Sequence, residues 1–559
     1  MPTERSQQRN TTSNAYSLHE SVPADRWCVT FSDLNFLRKE LQRAIQCGEI
    51  QPPADGQDNF HRAAEYGPNI YTVNEQYIKP VTSQAGKMSW ALMRNREGLD
   101  CDFFVSHAWQ EGVFEFLAKV RNSWPRGLRH AWCCMLANPQ NLNISSFLVS
   151  PRNSPFAIAL GASKVVLVVP NRHKSVYSRL WCAYEAYLAQ EEGKTILIAK
   201  ASHFYAHLHL LLRMAVAAII GASLGTTFRF LKFHSRVGFP AMAGFACGLS
   251  LSIENNTLRL VLNFFSQVLI WIQLTHWVPY FHSSLEGEPR EILRMTRQCY
   301  WALGSIVLCV MEFDRIHGKS TVHEAEELRR GYKGIEHAEC SQAADAAKIR
   351  REIGNQIGAV DHAIDVLLTA GMSTPTFRDI ACAGVNIKSA AFSEITGTVL
   401  LLGPFGTMAA ITATILHILY QGATWYLAIL PGISIIGRLI LVVRLFVSPP
   451  DEQCFILKVM GKLMAGMLVF FAIAVVLSFM GHFTTVAFLW LTVSDLHLLI
   501  MIFLAFLGIR GTARLPFGLH LLQLFFSRGQ NAFLALKVCA CHPNSDDADT
   551  SDSSATDTE

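Results

Sequence analysis

Two sets of residues in this 559-residue chain are of types that can do chemistry. Asp495, His497 and His417 lie within long apolar runs. Ionisable groups at bilayer depth are expensive and mark functional candidates. They either build a proton or ion path, or they make an interhelical hydrogen bond, or a helix break at Ser494-Asp495 places them in a polar pocket. The second set is Ser106-His107-Ala108-Trp109, which follows directly on the apolar run Cys101–Ser106. It offers a hydroxyl, an imidazole and an indole together. The fourteen cysteines are scattered and form no CxxC pair of pairs, so the sequence points to no metal site and no resident cofactor.

The second set needs a scaffold, and the flanking pattern supplies one. Cys101–Ser106, Ala131–Ala137, Ser163–Val169 and Lys194–Ala199 read as buried strands. Glu111–Asn122, Ser154–Leu160 and Ser178–Glu192 read as the helices between them. Alternating strands and helices predict a parallel sheet covered on both faces. Ligands of such sheets bind beyond the carboxyl ends of the strands. Those ends are Ser106–Trp109, the segment after Ala137 and the segment after Val169. Phe31–Cys47 reads as an amphipathic helix of a preceding extension.

Asp102-Phe103-Phe104-Val105-Ser106-His107 resembles the first box of TIR (Toll/interleukin-1 receptor/resistance) domains. Ala162–Val169 followed by Tyr177-Ser178-Arg179-Leu180-Trp181-Cys182-Ala183-Tyr184-Glu185 resembles the strand and the Trp-Cys-x-x-Glu helix of that domain. The resemblance covers roughly residues 100–205, and the segments 132–141 and 154–160 depart from the animal and plant pattern. It implies an α/β, flavodoxin-like fold with a parallel sheet. For the NAD-cleaving members it implies a catalytic glutamate, by position Glu185; around it, Trp109 or Trp181 is of a type to stack on a ligand ring, and Ser106 or His107 to bind its polar edges. NAD+ is then a substrate. Trp181 and Cys182 also read as core contacts, His107 as structural, and Glu185 as the solvent side of a helix paired with Arg179.

The rest of the chain has a different composition. Over the whole chain, head included, hydrophobic residues make up 50% and charged residues 16%, against about 25% charged in soluble domains. That excludes a disordered, collagenous or disulfide-knot protein, and a net charge of +4 gives no case for nucleic acid. A span needs about 20 apolar residues. Eight stretches read as spans, give or take two: 208–228, 237–253, 258–281, 299–313, 397–420, 423–447, 455–480 and 483–509; the last four meet that length well, and 299–313 is short enough to be either re-entrant or longer at its N-terminal side. The polar stretch Met1–Glu20 has no apolar signal core, so the head is expected in the cytosol. An even span count then places both termini there. Arg438, Arg444, Lys458, Lys462, Arg510 and Arg514 obey the positive-inside rule, whereas Arg229, Lys232 and Arg236 fall outside. Gly221–Gly225 and Gly244–Gly248 are small-residue motifs suited to close helix contact, within the chain or across a dimer.

The expected organisation is an extension (1–99), the TIR-like domain (100–205), a membrane region of about four segments (206–313), and a cytosolic helical insert (314–396). A second membrane region (397–510), a juxtamembrane segment (511–544) and an acidic, disordered tail (545–559) follow. In the insert, Ala343–Leu368 reads as one amphipathic helix stopped by Gly371, with His323–Tyr332 as a second helix upstream. Cys539-Ala-Cys541 matches a palmitoylation context. Three functions fit. The chain is a multi-pass signalling or scaffold protein whose heads associate with themselves or with other TIR-like domains. Alternatively it is a membrane-anchored NAD+ hydrolase using Glu185, or a transporter or channel with a regulatory head.

Overall fold

The computed structural model describes residues 15–58, 60, 65–143, 150–172, 175–202, 204–230, 242–243, 246, 255–277, 289–340, 342–392, 429–463 and 483–526. The stretch 237–253 lies almost wholly, and 397–420 and 527–559 wholly, outside the described residues, with Gly244, Gly248, His417 and the Cys539/Cys541 pair among them.

The head is a six-stranded sheet. Strand β1 (Val29–Thr30) runs into helix α1 (Phe31–Gln46), whose first turn is closed by a reciprocal bond pair between Thr30 and Asp33. Then come β2 (Phe103–Ser106), α2 (Val113–Asn122), β3 (His130–Cys133), α3 (Pro155–Ala162), β4 (Val165–Val168), α4 (Leu180–Glu191) and β5 (Thr195–Ile198). The order across the sheet is β1-β3-β2-β4-β5-β6. Strands β3, β2, β4 and β5 are parallel. The sheet is nevertheless mixed, because both edge strands, β1 and β6 (Met372–Ser373), pair antiparallel. Two-residue strands are too short to leave a periodic signal, and here they close edges that would otherwise expose unpaired backbone groups.

Side chains alternate across the sheet with period two. Phe104, Trp132, Val166, Val168, Ile196 and Ile198 face one core, and Phe103, Val105, Ala131, Cys133 and Leu167 face the other. The apolar run 131–137 does not stay extended. Pairing with β2 ends at Cys133 opposite Val105, and Cys134–Ala137 turns into one helical turn.

Three long helices follow: α5 (Phe204–Phe230), α6 (Asn256–Trp277) and α7 (Pro289–Arg329). Among the described residues, three helical stretches are long and apolar enough to cross a membrane: Phe204–Phe228, Thr257–Thr275 and Leu496–Ala513. Large apolar side chains such as Leu212, Ile219, Leu499 and Phe503 point outward from them. A Cβ on Gly221 would meet the Val268 carbonyl at 2.5 Å and Trp271 Cβ at 2.7 Å, and one on Gly225 the Ile272 carbonyl at 2.7 Å. These glycines therefore let α5 and α6 approach within one chain, running parallel.

Helix α7 joins the expected span 299–313 to the expected helix 323–332 as one rod, ~60 Å long at 1.5 Å per residue. Its C-terminal half is built into the head. Lys119 Nζ, buried, lies 2.7 Å from Glu324 and 3.0 Å from Glu115, and donates to the Pro170 carbonyl. Ala325 and Leu328 join the core around Tyr177.

The single helix expected over 343–368 is two: α8 (Ala343–Ile353) and α9 (Ile357–Ala370). Gly354, at φ +50°, ends the first, and the break lets Ile349 and Ile353 as well as Val360, Ile364 and Leu367 pack on the head. Gly371 stops α9 in the left-handed region, at φ +73°. The chain then forms β6 and α10 (Pro375–Cys382). Beyond it, α11 (Ile429–Val447), α12 (Phe483–Ala513) and α13 (Gly518–Phe526) share one core with Phe377 and Val366, to which they contribute Leu441, Leu504 and Phe526. Helix α12 breaks at Gly508, and the Glu452 carboxylate accepts the Ile509 N–H freed there.

Removing one partner of a buried ion pair strands the other in low dielectric. Lys119→Met should lower stability by about 3–5 kcal/mol, and adding Glu324→Leu should recover at least half. Unfolding of the detergent-solubilised protein, followed by tryptophan fluorescence, checks both; equal stability of the single and double variants would mean that the pair does not hold α7 to the head.

Candidate functional site

Parallel strands splay their connections at the point where successive strands lie on opposite sides of the first one. Here that point is the carboxyl end of β2, flanked by β3 and β4. Three connections meet there: Ser106–Trp109 after β2, Cys134 after β3, and Tyr177–Arg179 ahead of α4.

Helix α4 presents Glu185 inward rather than to solvent. The residue is 5% exposed, and Ser106, 2% exposed, donates its hydroxyl to Glu185 Oε2 at 2.5 Å. Burial raises the Glu185 pKa to about 7, against the opposing pull of the Ser106 hydrogen bond and the Arg179 charge. Glu185 therefore changes charge near neutrality, which suits a group that must stabilise a cation or move a proton. Asp102 at the head of the same strand does structural work. It accepts from the Arg129 and His130 amides at 2.8 and 3.2 Å and lies 3.3 Å from Lys164 Nζ.

His107 lies beside this pair within a second hydrogen-bonded row. Its Nδ1 is 3.1 Å from Glu111 Oε1 and its Nε2 is 3.1 Å from Cys134 Sγ, which also accepts from Trp109 Nε1 at 3.3 Å. Burial pushes His107 down to about 3, so its ring is neutral. Burial holds Glu111 well above the usual carboxylate range, and its Oε2 has no partner. Burial also pushes the Cys134 thiol up to about 12, with the Trp109 N–H pulling the other way. The row packs beside the Ser106–Glu185 pair at the carboxyl end of β2. Trp109 is half-buried, and its ring lies 5.4 Å from that of Tyr71 at the mouth.

Of the expected ligand-lining residues, Ser106, His107 and Trp109 converge with Glu185. Trp181 sits in an aromatic row instead, stacked on Phe156 at 5.4 Å, which in turn meets Trp132. Cys182 is buried and donates to the His107 carbonyl at 3.6 Å. Arg179 forms no ion pair with Glu185 within 4 Å among the described residues, although it lies within electrostatic range. Glu111 and Cys134 are residues of this cluster that motif reading misses, and Tyr177 and Arg179 lie inside the Trp-Cys-x-x-Glu motif without a ligand-lining role assigned by it. Glu111 falls at the start of a helix, Cys134 inside an apolar run, and Tyr177 in a turn. Only the meeting of the three strand ends brings them together. Among the described residues no group of three or more His, Cys, Asp or Glu is arranged to hold a metal ion.

In the helical part, Asp495 and His497 lie on α12, His497 half-buried, and His417 lies outside the described residues. The polar cluster that the structure does show is elsewhere. Glu312 on α7, 2% exposed, pairs with Arg315, lies 3.5 Å from Arg259 Nε and accepts from Asn263 Nδ2. One to two turns further along α6, Gln267 and Ser305 exchange hydrogen bonds. The spacing Arg259, Asn263, Gln267 marks one helix face, and that polar stripe was the available signal.

A carboxyl group whose pKa is raised on folding is buried without electrostatic cost at low pH, and that stability is lost as pH rises through the raised value. Glu185→Gln should leave stability at pH 5 nearly unchanged and raise it by roughly 2–3 kcal/mol at pH 8. Thermal unfolding at the two pH values checks this, and an equal effect at both would place Glu185 in water. Compared with protein-family models, with curated proteins and with solved structures, the chain matches none.

Proposed function

We propose that this chain is a multi-pass membrane protein whose cytosolic, TIR-like head cleaves NAD+ at Glu185. The observation that carries the reading is the placement of Glu185, buried against Ser106 at the carboxyl end of β2 rather than on the solvent side of α4. Counted within the parallel set, the strands run 2-1-3-4, the order of flavodoxin-like sheets, whose ligands sit at this point. The three membrane-length helices support the bilayer as partner. Helix α5 leaves the head directly after β5, and α7 returns to it at Glu324, which supports an even number of crossings between them.

The chemistry follows from the group. Breaking the bond between nicotinamide and ribose leaves the electron pair on the nicotinamide nitrogen and builds positive charge on the ribose, as in glycoside cleavage. The ionised Glu185 carboxylate stabilises that charge from a dry site. Ser106 holds the carboxylate in one orientation. Water then adds to the ribose carbon and gives up a proton, yielding ADP-ribose. No further cofactor is needed.

The full chain is the proper test object, because residues 343–373 supply one strand and much of one face of the head. Nicotinamide release from NAD+ should rise with pH through about 7, as Glu185 ionises, and level off above. Glu185→Gln should lower the rate by about 10²-fold or more. Clustered protein that leaves NAD+ intact, or a Glu185→Gln variant with full activity, would turn the reading to a scaffold acting by head self-association.

A further inference from the structure

Arg179 occupies an unusual position. It is the N-cap residue of the twelve-residue helix α4, and no side chain caps that helix. Its backbone is clamped from the insert: the Leu180 amide donates to the Glu339 carbonyl at 2.8 Å, and the Glu339 amide donates to the Ser178 carbonyl at 2.8 Å. The residue is only partly exposed, yet among the described residues its guanidinium has neither a hydrogen-bond acceptor nor an ion-pair partner. Glu185, Cys182, Cys134 and Tyr71 surround it within electrostatic range. Glu185 is engaged by Ser106 and changes charge near neutrality, and burial keeps both thiols protonated. No hydrogen bond or ion pair among the described residues therefore engages the guanidinium.

A second group points the same way. Tyr177, fully buried, has a hydroxyl with no hydrogen-bond partner, and its electrostatic neighbours are Cys182 and Glu185. The phenol and the guanidinium thus share Cys182 and Glu185, on the first two turns of α4, as electrostatic neighbours. Leaving such groups without partners is costly, and an anion answers all of them together. The guanidinium fork matches phosphate oxygens in bidentate fashion, and the first-turn amides of a helix add donors and a favourable dipole.

We propose that Arg179, the N-terminus of α4 and the Tyr177 hydroxyl form a phosphate-binding site, which takes the phosphate of a nucleotide whose base lies against Tyr71 and Trp109. Tyr71 is 44% exposed and its ring meets that of Trp109 at 5.4 Å, so the aromatic surface is open at the mouth. The ligand's identity as NAD+ rests on the reading above, in which the phosphates anchor the substrate while Glu185 meets the ribose. The anion site itself stands on Arg179 and Tyr177.

The test uses the full-length protein in detergent with inorganic pyrophosphate and ADP-ribose as probes in titration calorimetry. Saturable binding of both is expected, weakening with salt. Arg179→Gln should weaken each at least tenfold, and Arg179→Lys should fall between. Arg179→Gln should also unfold at the same temperature or higher, because it removes a charge that has no partner. Absence of saturable pyrophosphate binding, or equal binding by Arg179→Gln, overturns the proposal. The two readings separate cleanly. Pyrophosphate binding that depends on Arg179 in a protein that leaves NAD+ intact keeps the anion site and removes the hydrolase. Cleavage of NAD+ and of phosphate-free nicotinamide riboside falling by the same factor in Arg179→Gln keeps the hydrolase and removes the anion site.

Discussion

A carboxyl group taken out of water must be compensated or must give up its charge, and Glu185 stands at the balance of the two. One hydroxyl, from Ser106, and one guanidinium, from Arg179, work against burial, and the result is a pKa of about 7. Helix α4 reaches this arrangement because it is covered on its other sides by α3, α8 and α9, so that its residues from Cys182 to Ala189 are buried. Less cover would return Glu185 to water and its pKa to the ordinary range. A further charged partner would pull it down. The chemistry of the site thus rests on how completely α4 is enclosed.

The enclosure comes from far along the chain. Tyr184 donates to Glu352 on α8 at 2.7 Å, and Arg152 bridges Glu191 on α4 and Glu352, binding the helix to the insert. The insert also adds β6 to the sheet and clamps Arg179 through Glu339. The head is therefore completed by residues that lie beyond the first group of membrane-length helices. Helix α7 makes the link continuous. From Glu312 to Glu324 it rises about 18 Å, from the polar cluster with Arg259 and Asn263 to the buried pair with Lys119. The Arg330 carbonyl then accepts the Ser175 amide, two residues before Tyr177.

Much of the head was legible because local pattern carries it. The runs Phe103–Ser106, Val165–Val168 and Thr195–Ile198 are continuous apolar stretches between helical periods, and they became parallel neighbours. The stop at Gly371 was legible for the same reason, since glycine tolerates the left-handed turn. The break at Gly354 was not, because one glycine inside an amphipathic pattern is compatible with an uninterrupted helix. Within the site, Ser106, His107, Trp109 and Glu185 were visible as residue types at strand ends or by resemblance. Trp181 carried the same resemblance and packs in an aromatic row instead.

By itself the sequence determined the alternation of strands and helices in the head, the presence of apolar helices long enough for a bilayer, and the short list of polar residues near strand ends. Periodicity and local composition suffice for these, since each depends on neighbours within a few turns. Only the tertiary structure decided that Met372–Ser373 closes the sheet, that Lys119 meets Glu324 across 205 positions, and that Arg259 joins Glu312 in a buried ion pair. It also decided that Arg179 stands beside Glu185 without bonding to it. Which polar groups meet, and which are left unmatched, follows from how distant segments are brought to one point, and no local pattern encodes that.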